Sequence, residues 1–257
     1  MPLRSLTLDQ LTIDDEGSFR GVALYGRLKE VLRAAGHKFK VPAPGEAATW
    51  DRALFLNLTF WSPTEEASVL VDEHIAPDVI AHTALHHVVA RELARVAAAD
   101  SPVALLFAES IASAFDLYLV GRLLEIAPES DFITSQVPIM AEAAEQAGLD
   151  EGGFARLCES VSAAPERAFE DLRALLFDVG TALLACTDAS AAQDVLEGFA
   201  GHRFAPLIHH FQLSNWILYS RAYARAAPDG PVLALERELR ACPDSLAWIE
   251  SRWLAAA

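Results

Sequence analysis

Hydrophobic positions follow two different periods along this chain. From Gly21 to Ala35, and again from Pro77 to about Ala98, apolar residues recur every three or four positions, which predicts amphipathic helices. Ala53 to Trp61 and Ala67 to Val71 are instead short runs of β character separated by SPTEE, and they predict a small sheet. Val103 to Glu125 is apolar almost all round, which is typical of a central, buried helix.

Beyond Ala127 the pattern predicts helices almost throughout, with Gly or Pro at most of the joints. The predicted helices are Ile133 to Ala147, Glu151 to Ser162, Pro165 to Cys186, Ala191 to Phe199, Pro206 to Ala226, Val232 to Cys242 and Ser245 to Ala256. We therefore expect a mainly α protein of the α+β class with a small N-terminal β-sheet. We expect one domain over residues 1–257, with the sheet and the two long helices in 1–125 and a helical portion in 126–257.

Composition narrows the classes of partner. Apolar residues make up 53% of the chain and charged residues 22%, which is typical of a globular protein. The 36 acidic and 20 basic residues give a formal charge of −16, which repels nucleic acid and anionic lipid. The acidic N-terminus and the lack of a long uncharged apolar run predict a soluble, cytoplasmic protein that has no membrane partner.

Three cysteines, Cys158, Cys186 and Cys242, lie far apart in the sequence. No C-x-x-C spacing occurs, so neither a disulfide framework nor a thiolate zinc site is indicated. Any metal-binding chemistry has to come from histidines and carboxylates.

A pair of histidines, His82 and His86, lies within the helical pattern that begins at Pro77. Because they are four positions apart, their imidazoles project from one face about one turn apart and can hold a single ion. Apolar residues share that face, so we expect the histidines to point at the core, where both rings need polar partners. A metal would satisfy both rings, and structural burial is the alternative. His87 falls on another face.

Glu109 is an acidic residue inside the apolar helix pattern that follows. An unpaired buried carboxylate is costly, so we expect Glu109 to bind metal, with an ordinary buried ion pair as the alternative. Asp116 lies seven residues later on the same face, with Ser113 between them. His82, His86 and Glu109 are the predicted metal ligands.

The predicted helix from Pro206 to Ala226 also contains candidate site residues, because it mixes many polar groups with Leu, Ile, Phe and Trp. Such a mixture often lines a pocket, although a polar solvent face is the plainer interpretation. His209 and Tyr219 are candidates for catalytic or substrate contacts. Arg221 or Arg225 could bind the carboxylate of 2-oxoglutarate through a bidentate contact.

The segment VIAHTALHHVVARELARVAAADSPVALLFAESIASAFDLYLVG resembles the active-site region of the gluzincin metallopeptidases. In that family HExxH on one helix and a Glu on the next bind zinc, and a strand usually precedes the first helix. The resemblance covers about forty residues and implies a zincin-like scaffold in which His82, His86 and Glu109 are the ligands. It extends to no other part of the chain.

Two residues depart from the family pattern. Thr83 stands where the family has the glutamate that acts as general base towards zinc-bound water. Ser113 stands where the family often has an aspartate that supports a histidine ligand, and Asp116 could take that role from one turn further on. A loosely similar group of HExxH enzymes modifies peptide side chains in natural-product biosynthesis, and Thr83 departs from that group too.

Without the base, two histidines and one carboxylate also match the ligand set of non-haem Fe(II) oxygenases. Our leading hypothesis is therefore an Fe(II)-dependent oxidoreductase that acts on a small molecule or a peptide side chain, with 2-oxoglutarate as a potential co-substrate. One alternative is a Zn(II) hydrolase whose base comes from His87, Glu73 or His209. Another is a degenerate zincin that acts as a binding protein.

Overall fold

The computed structural model of the protein describes residues 3–43, 69–98, 101–208, 210–223 and 229–254. It is mainly α-helical with a small β-sheet near the N-terminus, as predicted. Its helices are α1 Ala23–Ala35, α2 Pro77–Arg95, α3 Pro102–Ile126, α4 Asp131–Gln146, α5 Glu151–Ala163, α6 Pro165–Ala185, α7 Ala189–Gly198, α8 His210–Tyr223, α9 Gly230–Ala241 and α10 Ser245–Trp253.

The described strands form two small two-stranded sheets, and all four strands lie outside the predicted strand ranges. Strand β1 (Leu3–Thr7) pairs antiparallel with β3 (Lys38–Pro42), and β2 (Thr12–Ile13) pairs in parallel with β4 (His74–Ile75). In β3 the residues alternate, so that Phe39 and Val41 are buried between more exposed lysines. The strands are short and contain Lys and Ser, so their alternation of apolar and polar residues is too weak to predict them from the sequence.

The predicted strand Ala53 to Trp61 lies outside the described residues. Of the second predicted strand, Ala67 to Val71, only the last three residues are described. Val69 forms a single parallel bridge with Lys40, and Val71 is an exposed bend, so this part of the prediction was wrong. The expectation that a strand leads directly into the histidine helix is confirmed by β4, which ends two residues before α2 begins.

Helix α2 begins at Pro77, whose fixed φ suits the first helical position and whose missing N–H would have no helical partner there. Its start agrees with the prediction. The helix ends at Arg95 rather than near Ala98, because Ala97 adopts a left-handed φ of 52° and the Ala98 N–H turns back to the Leu93 carbonyl. The helix from Pro77 to Arg95 therefore contains both His82 and His86.

Helix α3 is the central helix, as its uniform apolarity predicted. The Ser101 side chain accepts a hydrogen bond from the Ala104 N–H at its start, and α3 then packs against α2, α5, α6 and α8. Among the described helices it alone is long and apolar enough to cross a membrane, yet 78% of its most apolar window is buried, as in the core helix of a soluble protein. The surrounding helices hold Glu109 inside the protein.

The predicted helix from Pro206 to Ala226 is interrupted near its start. A short 3₁₀ turn at Ala205–Leu207 is followed by extended backbone at Ile208, and α8 then covers His210–Tyr223. A short stretch of extended backbone barely changes the spacing of apolar residues, so hydrophobic periodicity did not predict this break in the helix. Helix α8 packs on α3 and α6.

Candidate metal site

The site is built from one face of α2 and one face of α3. His82 and His86 lie on successive turns of α2, with their ring centroids 4.9 Å apart. The Nε2 atoms of the two rings face one another at 3.2 Å. Two ring nitrogens that converge in this way can share a single cation.

Glu109 on α3 supplies the third donor. Its Oε2 lies 3.5 Å from His86 Nε2, and the donor atoms of all three residues lie within 4.8 Å of one another. Two donors about 2.1 Å from one metal, at tetrahedral to octahedral angles, are about 3.0 to 3.4 Å apart. The two short separations are close to this range, so the cluster could hold a divalent metal ion.

The buried end of Glu109 adds a separate observation. The residue is only 2% exposed, and its Oε1 is closed off from solvent without a hydrogen-bond partner among the described residues. A buried, unsatisfied carboxylate oxygen costs free energy that a bound cation would offset. This carboxylate therefore fits a metal better than it fits a closed hydrogen-bond network.

Asp116 orients the first histidine. Its Oδ2 lies 3.0 Å from His82 Nδ1. When Nδ1–H donates to this carboxylate, Nε2 keeps its lone pair and points it towards His86, an arrangement common around metal-bound histidines. Asp116 therefore contacts a histidine ligand from one turn beyond Ser113, as the sequence predicted. The Ser113 hydroxyl has no hydrogen-bond partner within the described part of the chain.

The carboxylates around His82 change its protonation. Burial favours its neutral form, but the neighbouring Asp116, helped by Glu109, outweighs this effect and raises the pKa of His82 to about 9. A further carboxylate, Asp78, has a pKa raised to about 6, first by burial and then by repulsion from Asp116. Asp78 was not among the predicted site residues, although its position four residues before His82 puts it on the same helical face.

We expected both histidines to point into the core, but they are only partly buried. The side chains of His82 and His86 remain 31% and 26% exposed, while the Glu109 side chain is 3% exposed. Their face of α2 lies at the edge of the core, where α2 meets α3. Glu109 would bind an ion there from the buried side, and the ion would remain accessible to solvent on the side of the histidines.

The other predicted site residues are less well placed or lie outside the described residues. Thr83 follows His82 on α2 and is half-buried, and Tyr219 lies half-buried on α8. His209 and Arg225 lie outside the described residues. Arg221 is exposed on α8 and donates to two backbone carbonyls at the end of α6, well separated in sequence from the ligand set. The structure therefore brings together His82, His86, Glu109 and Asp116.

Fold and site define a mainly α-helical protein with a two-histidine, one-carboxylate cluster that could hold a divalent metal ion. The chain matches no family model, no curated protein and no solved structure. Its function has to be inferred from the site itself.

Proposed function

We propose that this protein is a metal-dependent enzyme whose metal is held by His82, His86 and Glu109. The observation that carries the proposal is the convergence of the three donors, two from α2 and one from the buried face of α3. Within the proposal, the favoured activity is oxidation of a small molecule or a peptide side chain at a non-haem Fe(II) ion.

The donor set supports iron in two ways. Two histidines and one carboxylate leave several coordination positions open, which is the arrangement of non-haem Fe(II) oxygenases. The second oxygen of Glu109, Oε1, is buried without another partner among the described residues, and chelation of the ion by both oxygens would satisfy it. A chelating carboxylate suits a five- or six-coordinate ion better than a closed tetrahedral zinc site. A bound Fe(II) ion would supply dioxygen binding and redox chemistry.

The residues of the chain would prepare the site for that ion. The Asp116 carboxylate holds the Nδ1 side of His82, so Nε2 is the nitrogen that faces the ligand cluster and would bind the ion once its proton is displaced. Glu109 anchors the ion from the buried side, and the partly exposed histidines leave room for substrate. Thr83, a neutral side chain where a hydrolase would carry its base, makes hydrolysis the less favoured reaction.

The proposed oxidation also requires a co-substrate. An Fe(II) oxygenase needs an electron source, and 2-oxoglutarate is the candidate. Arg221 lines a cavity whose lining contains none of His82, His86 or Glu109, so its position does not support a role in binding 2-oxoglutarate at the metal. Arg225 stays the candidate for that carboxylate contact.

A zinc hydrolase is the second candidate, favoured by the contact between Asp116 and His82. In the gluzincins, which the segment around these helices resembles, an aspartate supports a histidine ligand in a similar way. Such an enzyme would need a general base other than Thr83. Asp78, with its raised pKa, joins His87, Glu73 and His209 as a candidate.

The proposal is tested by assaying activity of the chain with each metal. The protein is stripped with a chelator and reloaded anaerobically with Fe(II), or aerobically with Zn(II). Oxygen uptake is then measured with and without 2-oxoglutarate, and ester and peptide hydrolysis are measured in parallel. We expect Fe(II)-dependent oxygen uptake that Zn(II) does not support. Zn(II)-dependent hydrolysis without oxygen uptake would select the hydrolase, and inactivity with tight metal binding would select a degenerate binding protein.

A further inference from the structure

A cavity that contains none of the proposed metal ligands lies between the end of α6, helix α7 and helix α8. It is a cavity of about 450 Å³. Most of its wall is aliphatic, formed by Leu183, Leu196, Leu213 and Ile217. Cavities of this size with apolar walls and a few polar groups are typical small-molecule sites.

Helix α7 covers one side of this cavity and is weakly packed. It packs against α6, yet none of its residues is buried, although Ala192 and Leu196 line the cavity. Its start is fixed by the Asp188 carboxylate, which accepts a hydrogen bond from the Ala191 N–H. An apolar occupant would bury the inner face of α7, which is half-exposed without one.

The polar end of the cavity carries a fixed positive charge. Arg221 lines the cavity, and its Nη2 donates to the Leu184 and Cys186 carbonyls, which hold the guanidinium at the end of α6. Within the described residues, Arg221 forms no ion pair. The Asp188 carboxylate also lines the cavity, where it accepts hydrogen bonds from the Ala191 N–H and the Thr187 hydroxyl. The remaining N–H groups of Arg221 are therefore available to an anion.

We propose that this cavity binds an elongated apolar monocarboxylate, with its aliphatic body between α7 and α8 and its carboxylate at Arg221. Leu218, which is 64% exposed, lies on the cavity wall and offers further apolar contact. The inference does not depend on the proposed metal chemistry, because the cavity lining contains none of His82, His86 or Glu109.

Calorimetric titration of the full chain with decanoate, kept below its micelle concentration, tests the proposal. Decan-1-ol is the neutral probe of equal chain length. We expect saturable decanoate binding at about one equivalent and at least about tenfold weaker binding of decan-1-ol, the effect of one lost charge-assisted hydrogen bond. Absence of saturable decanoate binding, or equal affinity for the two probes, would overturn the proposal.

Two variants locate the binding. Ala192→Trp places a large ring in the cavity from the weakly packed helix α7 and is expected to abolish decanoate binding. Gln193→Trp, on the exposed side of the same helix, is the matched control and should bind as the parent does. Arg221→Gln should reduce decanoate affinity to that of decan-1-ol. Circular dichroism verifies the fold of each variant, and unchanged decanoate binding in a folded Ala192→Trp or Arg221→Gln protein would contradict the assignment.

Discussion

Glu109 shows how much a single residue can indicate from sequence. A carboxylate in an otherwise apolar helix pattern had to be buried and compensated, and it lies at 2% exposure within reach of His86. The spacing of His82 and His86 fixed their common face, because helix geometry alone determines it. The depth of that face could not be predicted, since it depends on how α2 meets α3.

Asp116 provides a test at the same scale. Asp116→Asn keeps a hydrogen-bond acceptor but removes the negative charge beside His82 Nδ1, so metal affinity should fall by about 10- to 100-fold. Competition titration against a chromophoric chelator measures the affinity. Ser113→Ala, on the same face of α3 and without a hydrogen-bond partner to lose among the described residues, is the matched control and should leave the affinity unchanged. Equal affinities for the parent and Asp116→Asn would remove Asp116 from the site.

Thr83 tests which reaction the site supports. If the protein is an oxygenase, Thr83→Glu should abolish native oxygen uptake, because a new anion beside His82 would compete for an open coordination position. It should not create hydrolysis, although a well-placed base typically contributes about 10²- to 10⁴-fold. Thr83→Gln has the same size without the charge and should retain more oxygen uptake than Thr83→Glu. Metal-dependent hydrolysis in Thr83→Glu, with no oxygen uptake in the parent, would favour the hydrolase instead.

At the scale of elements, the long helices were predictable and the strands β1 and β3 were not. Helices α2 and α3 carry many turns of consistent periodicity, and Pro77 and Ser101 mark their starts. The strands β1 and β3 are five residues each and pair across about thirty intervening residues. Long-range pairing of that kind leaves little local signal, so β1 and β3 were not predicted.

The close contact of α3 with α5 is tested through a glycine. A Cβ atom at Gly121 would lie 2.7 Å from the Val161 carbonyl oxygen and 3.0 Å from Pro165 Cβ. Gly121→Ala should therefore lower the free energy of unfolding by about 1 to 3 kcal/mol through overpacking. Gly26→Ala, on α1 with nothing within 4 Å of the new Cβ, should raise it by up to about 1 kcal/mol. Urea unfolding measures both, and a stable Gly121→Ala protein would contradict the helix contact.

At the scale of the whole molecule, the C-terminal helices are joined to the core by a buried ionic network. Arg173 on α6 is fully buried and pairs with Glu170 at 2.6 Å and with Glu236 on α9. Arg240 pairs with Glu236 as well and reaches Asp178 at 2.7 Å. Such a network fixes how α9 lies on α6, because each buried charge requires its partner.

Removing Arg173 tests this connection. Arg173→Met leaves Glu236 with Arg240 alone and should lower the free energy of unfolding by about 3 kcal/mol, the cost of breaking one buried pair. Arg167→Met breaks an exposed pair with Asp171 and should change it by less than about 1 kcal/mol. Denaturant unfolding compares them. Equal stability of the two variants would show that the network contributes no more than a surface pair.

The metal cluster joins α2, which follows the sheet, to the central helix α3, so a bound ion would link two long helices of the protein. Metal titration of chelator-stripped protein tests this most directly, with Fe(II) under anaerobic conditions and with Zn(II). The parent should bind one equivalent, whereas His82→Ala and His86→Ala should stay folded and bind more than about 100-fold more weakly, since each loses a direct ligand. His87→Ala, on a different face of the same helix, should bind as the parent does. Stoichiometric binding that survives both ligand substitutions would contradict the site.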